Sequence, residues 1–283
     1  MMKKMIISGG EGQLGVAFAK RLQPSYHNIS YSKKEMDITN PEEVDKIIKQ
    51  NKPDYLIHCA AYTDVDQCEN MKMKAFQVNT LGSLNIAKSC KSHKVKLVYI
   101  SSDYVFDGES NVAYSETSKP NPKNTYGLSK WLGEEVVLKT NPESYIVRTS
   151  WLYGHGGKNF VRTIWYLAKQ GQEVSVVSDQ IGSPTYAEDL VEKCLEIFES
   201  PYGIYHISNQ GKCSWYDLAR VIYQESGTGI HLVKPVLTKD YQKTSVPRPF
   251  FSALKMERLK QLNISLPCTW KKGLTKFMGK EKL

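Results

Sequence analysis

Two hydrophobic periods alternate along the first half of the chain. Short apolar runs recur at Met5-Ile6-Ile7-Ser8, Ile29-Ser30-Tyr31, Tyr55-Leu56-Ile57-His58-Cys59, Lys96-Leu97-Val98-Tyr99-Ile100 and Tyr145-Ile146-Val147. Each reads as a strand, the first of them buried. Between them, helical spacing predicts helices over 14–22, 68–93 (in two pieces) and 126–138. A further helix starts at Asn40-Pro41-Glu42-Glu43, where Asn caps, Pro opens the first turn and two acids face the dipole. Strand, helix and strand repeated in this way imply parallel strands joined by crossover helices, hence a doubly wound parallel α/β sheet.

After Arg148 the rhythm loosens. Helices are predicted over 159–170 and 188–198, a strand at Val174-Ser175-Val176-Val177, and a capping-box helix start at Ser214-Trp215-Tyr216-Asp217. The stretch 241–252 is Pro-rich and reads as irregular. The expected division is a dinucleotide-binding domain over 1–153, with a return segment at about 172–202, and a smaller C-terminal α/β substrate lobe from 154–171 and 203–283. No low-complexity linker separates them, so the lobes should pack together.

Composition narrows the functional classes. The chain has 283 residues, 41% hydrophobic and 24% charged, which excludes a disordered chain and a disulfide-stapled miniprotein. No apolar run approaches the roughly 20 residues that cross a bilayer. The N-terminal apolar run stops at Gly9, short of a signal peptide, so a soluble, cytoplasmic protein is expected. Six cysteines form no CxxC pair and read as reduced, mostly buried thiols. The histidines show no HxxxH or HExxH spacing, so no metal site is expected. The net charge of +9 comes from lysines dispersed along the chain and densest in the tail. That distribution fits a solvated basic surface first and phosphate-bearing ligands second, with nucleic acid and membrane not expected as partners.

Gly9, Gly12 and Gly15 form a GxxGxxG turn between the first strand and the first helix. Such a turn brings backbone N–H groups to a helix N-terminus that suits a pyrophosphate. At the end of the second strand, where NAD sites usually carry an acid, the chain has Tyr31-Ser32-Lys33-Lys34. Ser32 and the lysines suit a 2′-phosphate, which favours NADPH and leaves NADH open; an exposed basic turn explains them nearly as well. Asp37 and Ile38 fall where the adenine end would lie. Ala60, Ala61 and Tyr62 follow the third strand, where small residues admit a cofactor or simply pack a helix.

Tyr126 and Lys130 are four apart on a predicted helix and share one face. An ammonium beside a phenol favours the phenolate and lowers its pKa from about 10. Such a Tyr can protonate a carbonyl oxygen as hydride reaches its carbon. Ser102 ends the fourth strand, at the edge where open α/β sheets bind ligands, and can polarise the same oxygen. YxxxK alone arises often by chance; a Gly-rich turn, a strand-end Ser and YxxxK in that order are far more specific.

With these residues the chain resembles the extended short-chain dehydrogenase/reductase family over essentially its whole length. It is most similar to the branch that reduces the C4 keto group of dTDP-4-dehydro-L-rhamnose to dTDP-L-rhamnose, which feeds surface polysaccharides. That likeness is carried by Ser101-Ser102-Asp103-Tyr104-Val105-Phe106-Asp107-Gly108, Asn124-Thr125-Tyr126-Gly127 through Lys130, Arg148-Thr149-Ser150-Trp151-Leu152-Tyr153-Gly154, Asn159-Phe160, 178–185, and Arg248-Pro249 with Ser252. The resemblance implies a Rossmann sheet, with Tyr126 as proton donor, Lys130 its partner and Ser102 the third member. It implies cofactor contacts at Gly12, Gln13, Leu14, Asp37, Ile38, Ala60, Ala61 and Tyr62, and substrate contacts at Ser102, Asp103, Tyr126 and Trp151. Arg248 is a further candidate for the dTDP-sugar; packing explains Trp151 equally well. Ala17 stands where some relatives carry a carboxylate linked to a magnesium-bridged dimer, so magnesium is left open without being predicted, and a monomer or weak homodimer is expected. Two alternatives stay open: a nucleotide-sugar epimerase or dehydratase of the same superfamily, and a non-catalytic NADP-binding subunit resembling the regulatory subunit of methionine adenosyltransferase.

Overall fold

The computed structural model describes residues 2–23, 25–241 and 246–280. Its centre is a six-stranded sheet. Five strands come from the first half: β1 (Lys4–Ser8), β2 (His27–Tyr31), β3 (Tyr55–His58), β4 (Lys96–Ser102) and β5 (Ser144–Thr149). The sixth is Gly203–His206, which pairs with β5. Running from that strand the order is β5, β4, β3, β1, β2, and every pairing is parallel. The order reverses between β1 and β3, so a crevice opens at their carboxyl ends, the usual ligand position in such sheets.

Continuous apolar runs are what a sheet covered on both faces requires. Met5, Ile7, Tyr55, Ile57, Val98, Tyr145 and Val147 point to one face, against the helices Gln13–Leu22 (α1) and Ala187–Glu196. Ile6, Leu56, Leu97, Tyr99 and Ile146 point to the other, against Pro41–Asn51, Ser83–Ser92 and Thr125–Thr140. Each such aliphatic side chain, fully buried, contributes about 1.5–3 kcal/mol. Asn40 caps its helix as the sequence suggests, its side chain accepting from the N–H groups of Glu42 and Glu43.

The second lobe has its own core, in which Val161, Trp165, Tyr186, Leu218, Ile222, Tyr223, Leu274 and Phe277 are buried together. Two strand placements differ from the sequence reading. Gly203–His206, assigned there to the small lobe, extends the main sheet because Ile204 to His206 register against Ile146 to Arg148. Val174–Val177, assigned to the return segment, pairs instead with Val233–Val236 and buries Val176 in the second core. Strand composition alone does not say which sheet a strand joins. The 68–93 stretch is also more broken than two pieces: Val65–Asn70, Lys72–Phe76, a π-wound turn Gln77–Gly82, and Ser83–Ser92. Of the 241–252 stretch expected to be irregular, 242–245 lies outside the described residues. Among the described residues no helix is long and apolar enough to cross a membrane.

Candidate active site

A cleft of about 870 Å³ runs along the carboxyl edge of the sheet and reaches the second lobe. Its floor begins at the glycine turn. Gly9 has φ +71°, and a Cβ there would lie 2.7 Å from the Ala60 backbone nitrogen, so only glycine lets the loops after β1 and β3 meet. A Cβ at Gly12 would meet little beyond the Gly9 carbonyl at 3.3 Å, so that side of the turn is open to a ligand. No side chain caps α1 and its first turn holds no acid, so N–H groups of its first turn remain available to an anion. This cradle fits a dinucleotide pyrophosphate. The Gln13 side chain is engaged elsewhere: it donates to the Lys158 carbonyl and accepts from Asn159, tying α1 to the second lobe.

At one end of the cleft lie Ser32, Lys33, Asp37 and Ile38. Glu35 folds back over this turn, accepting from the Ser32 backbone N–H at 2.8 Å; hydrogen bonds from Ser32 hold its carboxyl below the usual range. Asp37 accepts from the Thr39 N–H and hydroxyl, which lower its pKa in the same way. Opposite, Ala60, Ala61 and Tyr62 form the wall. Asn79, on the π-wound turn, holds that loop: it accepts from the Tyr62 N–H at 2.7 Å and donates to the Tyr62 carbonyl and the Ser129 hydroxyl.

The middle of the cleft holds Ser102, Asp103, Tyr126 and Lys130 together. Asn124 caps the helix Thr125–Thr140 by accepting from Gly127 N–H, which fixes the first turn carrying Tyr126. Ser102 accepts from the Tyr104 N–H and donates to Asp103 Oδ1 at 3.1 Å. Burial pushes the Tyr126 phenol up, with the Ser102 hydroxyl pulling the other way, so the phenol stays protonated at neutral pH. The sequence argument for a phenol lowered by Lys130 is therefore not the balance found. Desolvation dominates, and the Lys130 ammonium donates to the Ile100 carbonyl at 2.8 Å and sits over the Tyr99 ring. Burial lowers Lys130 to about 7, opposed by Glu134 and Cys59. Asp103 is 1% exposed, its Oδ2 has no hydrogen-bond partner, and burial raises it to about 6, opposed by the nearby Ser252 and Ser102 hydroxyls.

The second lobe supplies the far wall. Trp151 has φ +46°, unusual for a bulky residue. Its indole stacks on Trp215 with centroids 3.5 Å apart and planes 3° from parallel. A Cβ at Gly182 would fall 2.3 Å from the Trp151 ring, so glycine there makes room for it. Of the residues singled out from sequence for ligand contact, Lys34 and Arg248 are off the cleft wall. Arg248 Nη2 donates to Asp66 at 2.9 Å, and its loop is held by Asn124 donating to the Pro247 carbonyl.

Residues 2–282 match the family described as RmlD substrate binding domain. A spore coat polysaccharide biosynthesis protein of Bacillus subtilis is 41% identical over 98% of this chain and 97% of its own length. The chain belongs to the RmlD substrate binding domain family. A dTDP-4-dehydrorhamnose reductase of Aggregatibacter actinomycetemcomitans is 38% identical over 96% of this chain and 97% of its own. The structure is similar to that of a Bacillus anthracis dTDP-4-dehydrorhamnose reductase in complex with NADP, with TM-score 0.96 and 40% identity over 99% and 100% of the two chains.

Two features of this RmlD-family cleft escaped sequence reasoning. Trp215 read there only as part of a capping box, which it is: Ser214 and Asp217 bond reciprocally. Its place beside Trp151 depends on chain folding across 64 residues and leaves no local signal. Asn79 lay inside a helical stretch, where nothing marked the winding that aims its amide at the third-strand loop.

Proposed function

We propose that this chain reduces the C4 keto group of dTDP-4-dehydro-L-rhamnose with NADPH to give dTDP-L-rhamnose, for rhamnose-containing surface polysaccharide. The observation that carries the reading is the convergence of Ser102, Tyr126 and Lys130 on one cleft that begins at an open glycine turn. When bound, the dinucleotide supplies a hydride to the carbonyl carbon. The turn at Gly9 and Gly12, with the N–H groups of Gln13 and Leu14, would hold its pyrophosphate; Ser32 and Lys33 would meet a 2′-phosphate; Asp37, Ile38 and Ala60 to Tyr62 would flank the adenosine.

Tyr126 gives its phenolic proton to the developing O4 alkoxide, so the carbonyl becomes a hydroxyl and the phenol a phenolate. The Lys130 ammonium stabilises that phenolate and Ser102 donates to the same oxygen, acting where charge develops. Tyr126 then regains a proton from solvent. A phenol that burial keeps protonated suits a reduction, in which it must begin as an acid. Asp103 offers its unpartnered oxygen to a sugar hydroxyl, and the Trp151–Trp215 stack closes the sugar side. Arg248 is held to Asp66 through Nη2, while its Nη1 has no hydrogen-bond partner among the described residues.

We place the enzyme in the cytoplasm as a monomer or weak homodimer; its six cysteines are unbridged, as a reducing compartment allows. The test is loss of reduced-nicotinamide absorbance when NADPH and dTDP-4-dehydro-L-rhamnose are mixed with the protein, with the UDP analogue as control. Stoichiometric NADPH consumption supports the reading. Turnover of sugar on a tightly held dinucleotide, with none consumed, would point to an epimerase or dehydratase instead.

A further inference from the structure

Directly behind the proposed catalytic residues lies a charged cluster that the chemistry above leaves unused. Glu134 sits one helical turn beyond Lys130 and is 1% exposed; Arg148, near the end of β5, is 2% exposed. Arg148 Nε donates to both Glu134 oxygens, at 2.9 and 3.1 Å, and Nη2 to Oε2 at 2.6 Å. Ser101 donates to Glu134 Oε1 at 2.5 Å. Ser101 and Arg148 are register partners across β4 and β5, so one carboxylate clamps both ends of a sheet rung. His206 completes the cluster. Its Nδ1 faces the carbonyls of Tyr114 and Lys255 and so carries the proton, leaving Nε2 to accept from Arg148 Nη1 at 3.5 Å.

A buried ion pair is costly, and apolar residues of the same shape often serve stability as well or better. Position explains this one. Ile100 and Ser101 are successive residues of β4: the carbonyl of the first holds Lys130 and the hydroxyl of the second holds Glu134. The next residue is Ser102. The helix bearing Tyr126 and Lys130 is thereby fixed to the strand end bearing Ser102.

We propose that Glu134, held by Arg148, is a positioning residue that locks the Tyr126 helix to the end of β4 and sets a buried carboxylate one helical turn from Lys130. This rests on the reductase reading. The titratable groups facing Lys130 are Tyr126 on its own helix, His58 and Cys59 at the end of β3, and Tyr99 on β4. Burial holds His58 neutral, at about 3, and raises Cys59, Tyr99 and Tyr126, so all four are uncharged near neutrality. Asp103 bears on Tyr126 rather than on Lys130. Glu134 is the carboxylate that acts on Lys130, and the Arg148 guanidinium is bound to both oxygens of that carboxylate.

The sign follows. Removing the Glu134 charge lowers the Lys130 pKa, so the lysine loses its proton earlier as pH rises. Glu134→Gln, which keeps the side chain's shape, is expected to move the basic limb of the kcat profile down by about one pH unit or more. The pH at which NADPH affinity falls, read by titrating protein fluorescence, is expected to move with it. Because Gln leaves Arg148 unpaired in the core, Glu134→Gln with Arg148→Gln provides a second variant, with a smaller shift in the same direction. Arg148→Lys, which keeps both charges, should retain the wild-type limb at a reduced kcat. Folded variants that lose thermal stability while their limb and NADPH titration coincide with wild type would overturn the proposal. If the wild-type protein consumes no NADPH with the sugar, the reductase reading fails, and the NADPH titrations still decide the role of Glu134.

Discussion

The two walls of the cleft are built on different principles. The sheet wall is periodic: Gly9 and Ala60 lie just past the ends of parallel strands and Ser102 and Thr149 end theirs, so the lattice of the sheet sets their spacing. The second-lobe wall comes from two-residue strands, a tryptophan at positive φ and a ring stack between residues far apart in the chain. The first wall holds the groups that would move a proton, and a regular lattice places them reproducibly. The second would border the sugar, on a backbone that no regular lattice sets. Chemistry and selectivity should therefore respond separately to substitution.

The sharpest separation is expected at Tyr126→Phe. Removing a general acid costs about 10²–10⁴-fold in turnover, while NADPH binding, measured by fluorescence, should be unchanged. An unaltered kcat would remove Tyr126 from the mechanism. Asp103→Asn probes the cost carried by the first wall. The carboxyl is raised from 3.8 to about 6, so the native state gains its full contribution below the unfolded value and loses it as pH rises through 6. The variant should be more stable than wild type at pH 7, by at most about 3 kcal/mol. That advantage should vanish below about pH 4 in denaturant titrations, and turnover should fall. A variant less stable at pH 7 would show that hydrogen bonds to Asp103 outweigh its desolvation.

Gly182→Ala addresses the second wall. Its methyl group would press on Trp151, and overpacking of this kind costs about 1–3 kcal/mol. The expected result is a KM for the nucleotide sugar raised about 5- to 100-fold with the NADPH KM little changed. Equal changes in both would mean that the walls are mechanically one. The smallest effect is expected at Lys33→Ala, which removes a partly screened charge near Ser32. NADPH affinity should fall by less than about tenfold, with NADH affinity constant. A loss for both dinucleotides would place Lys33 elsewhere than at a 2′-phosphate.

Legibility divides along the same line. Runs such as Tyr55-Leu56-Ile57 declare strands buried on both faces, and β1 to β5 with their helices follow from them. GxxGxxG, the strand-end Ser102 and the i, i+4 pair Tyr126 and Lys130 are local patterns, and they lie on one cleft. What sequence could not give is long-range. Gly203–His206 is as plausible in a small sheet as in a large one until a partner strand is known. Arg248 read as a candidate for the dTDP-sugar because nothing local announces Asp66. The protonation balance at Tyr126 was misread because spacing reports a neighbouring charge but not the depth at which both groups are buried.

The π-wound turn at Gln77–Gly82 gives this protein an unusual kind of vulnerability. Widening a helical turn is the structural trace of one surplus residue, and here that surplus aims Asn79 at the loop beside the dinucleotide cradle. Deleting a single position would heal the winding and leave every nearby side chain chemically intact, yet the amide would swing off its target. Along this stretch, chain length governs the outcome more than residue identity, so insertions and deletions should be far less forgiving than point changes.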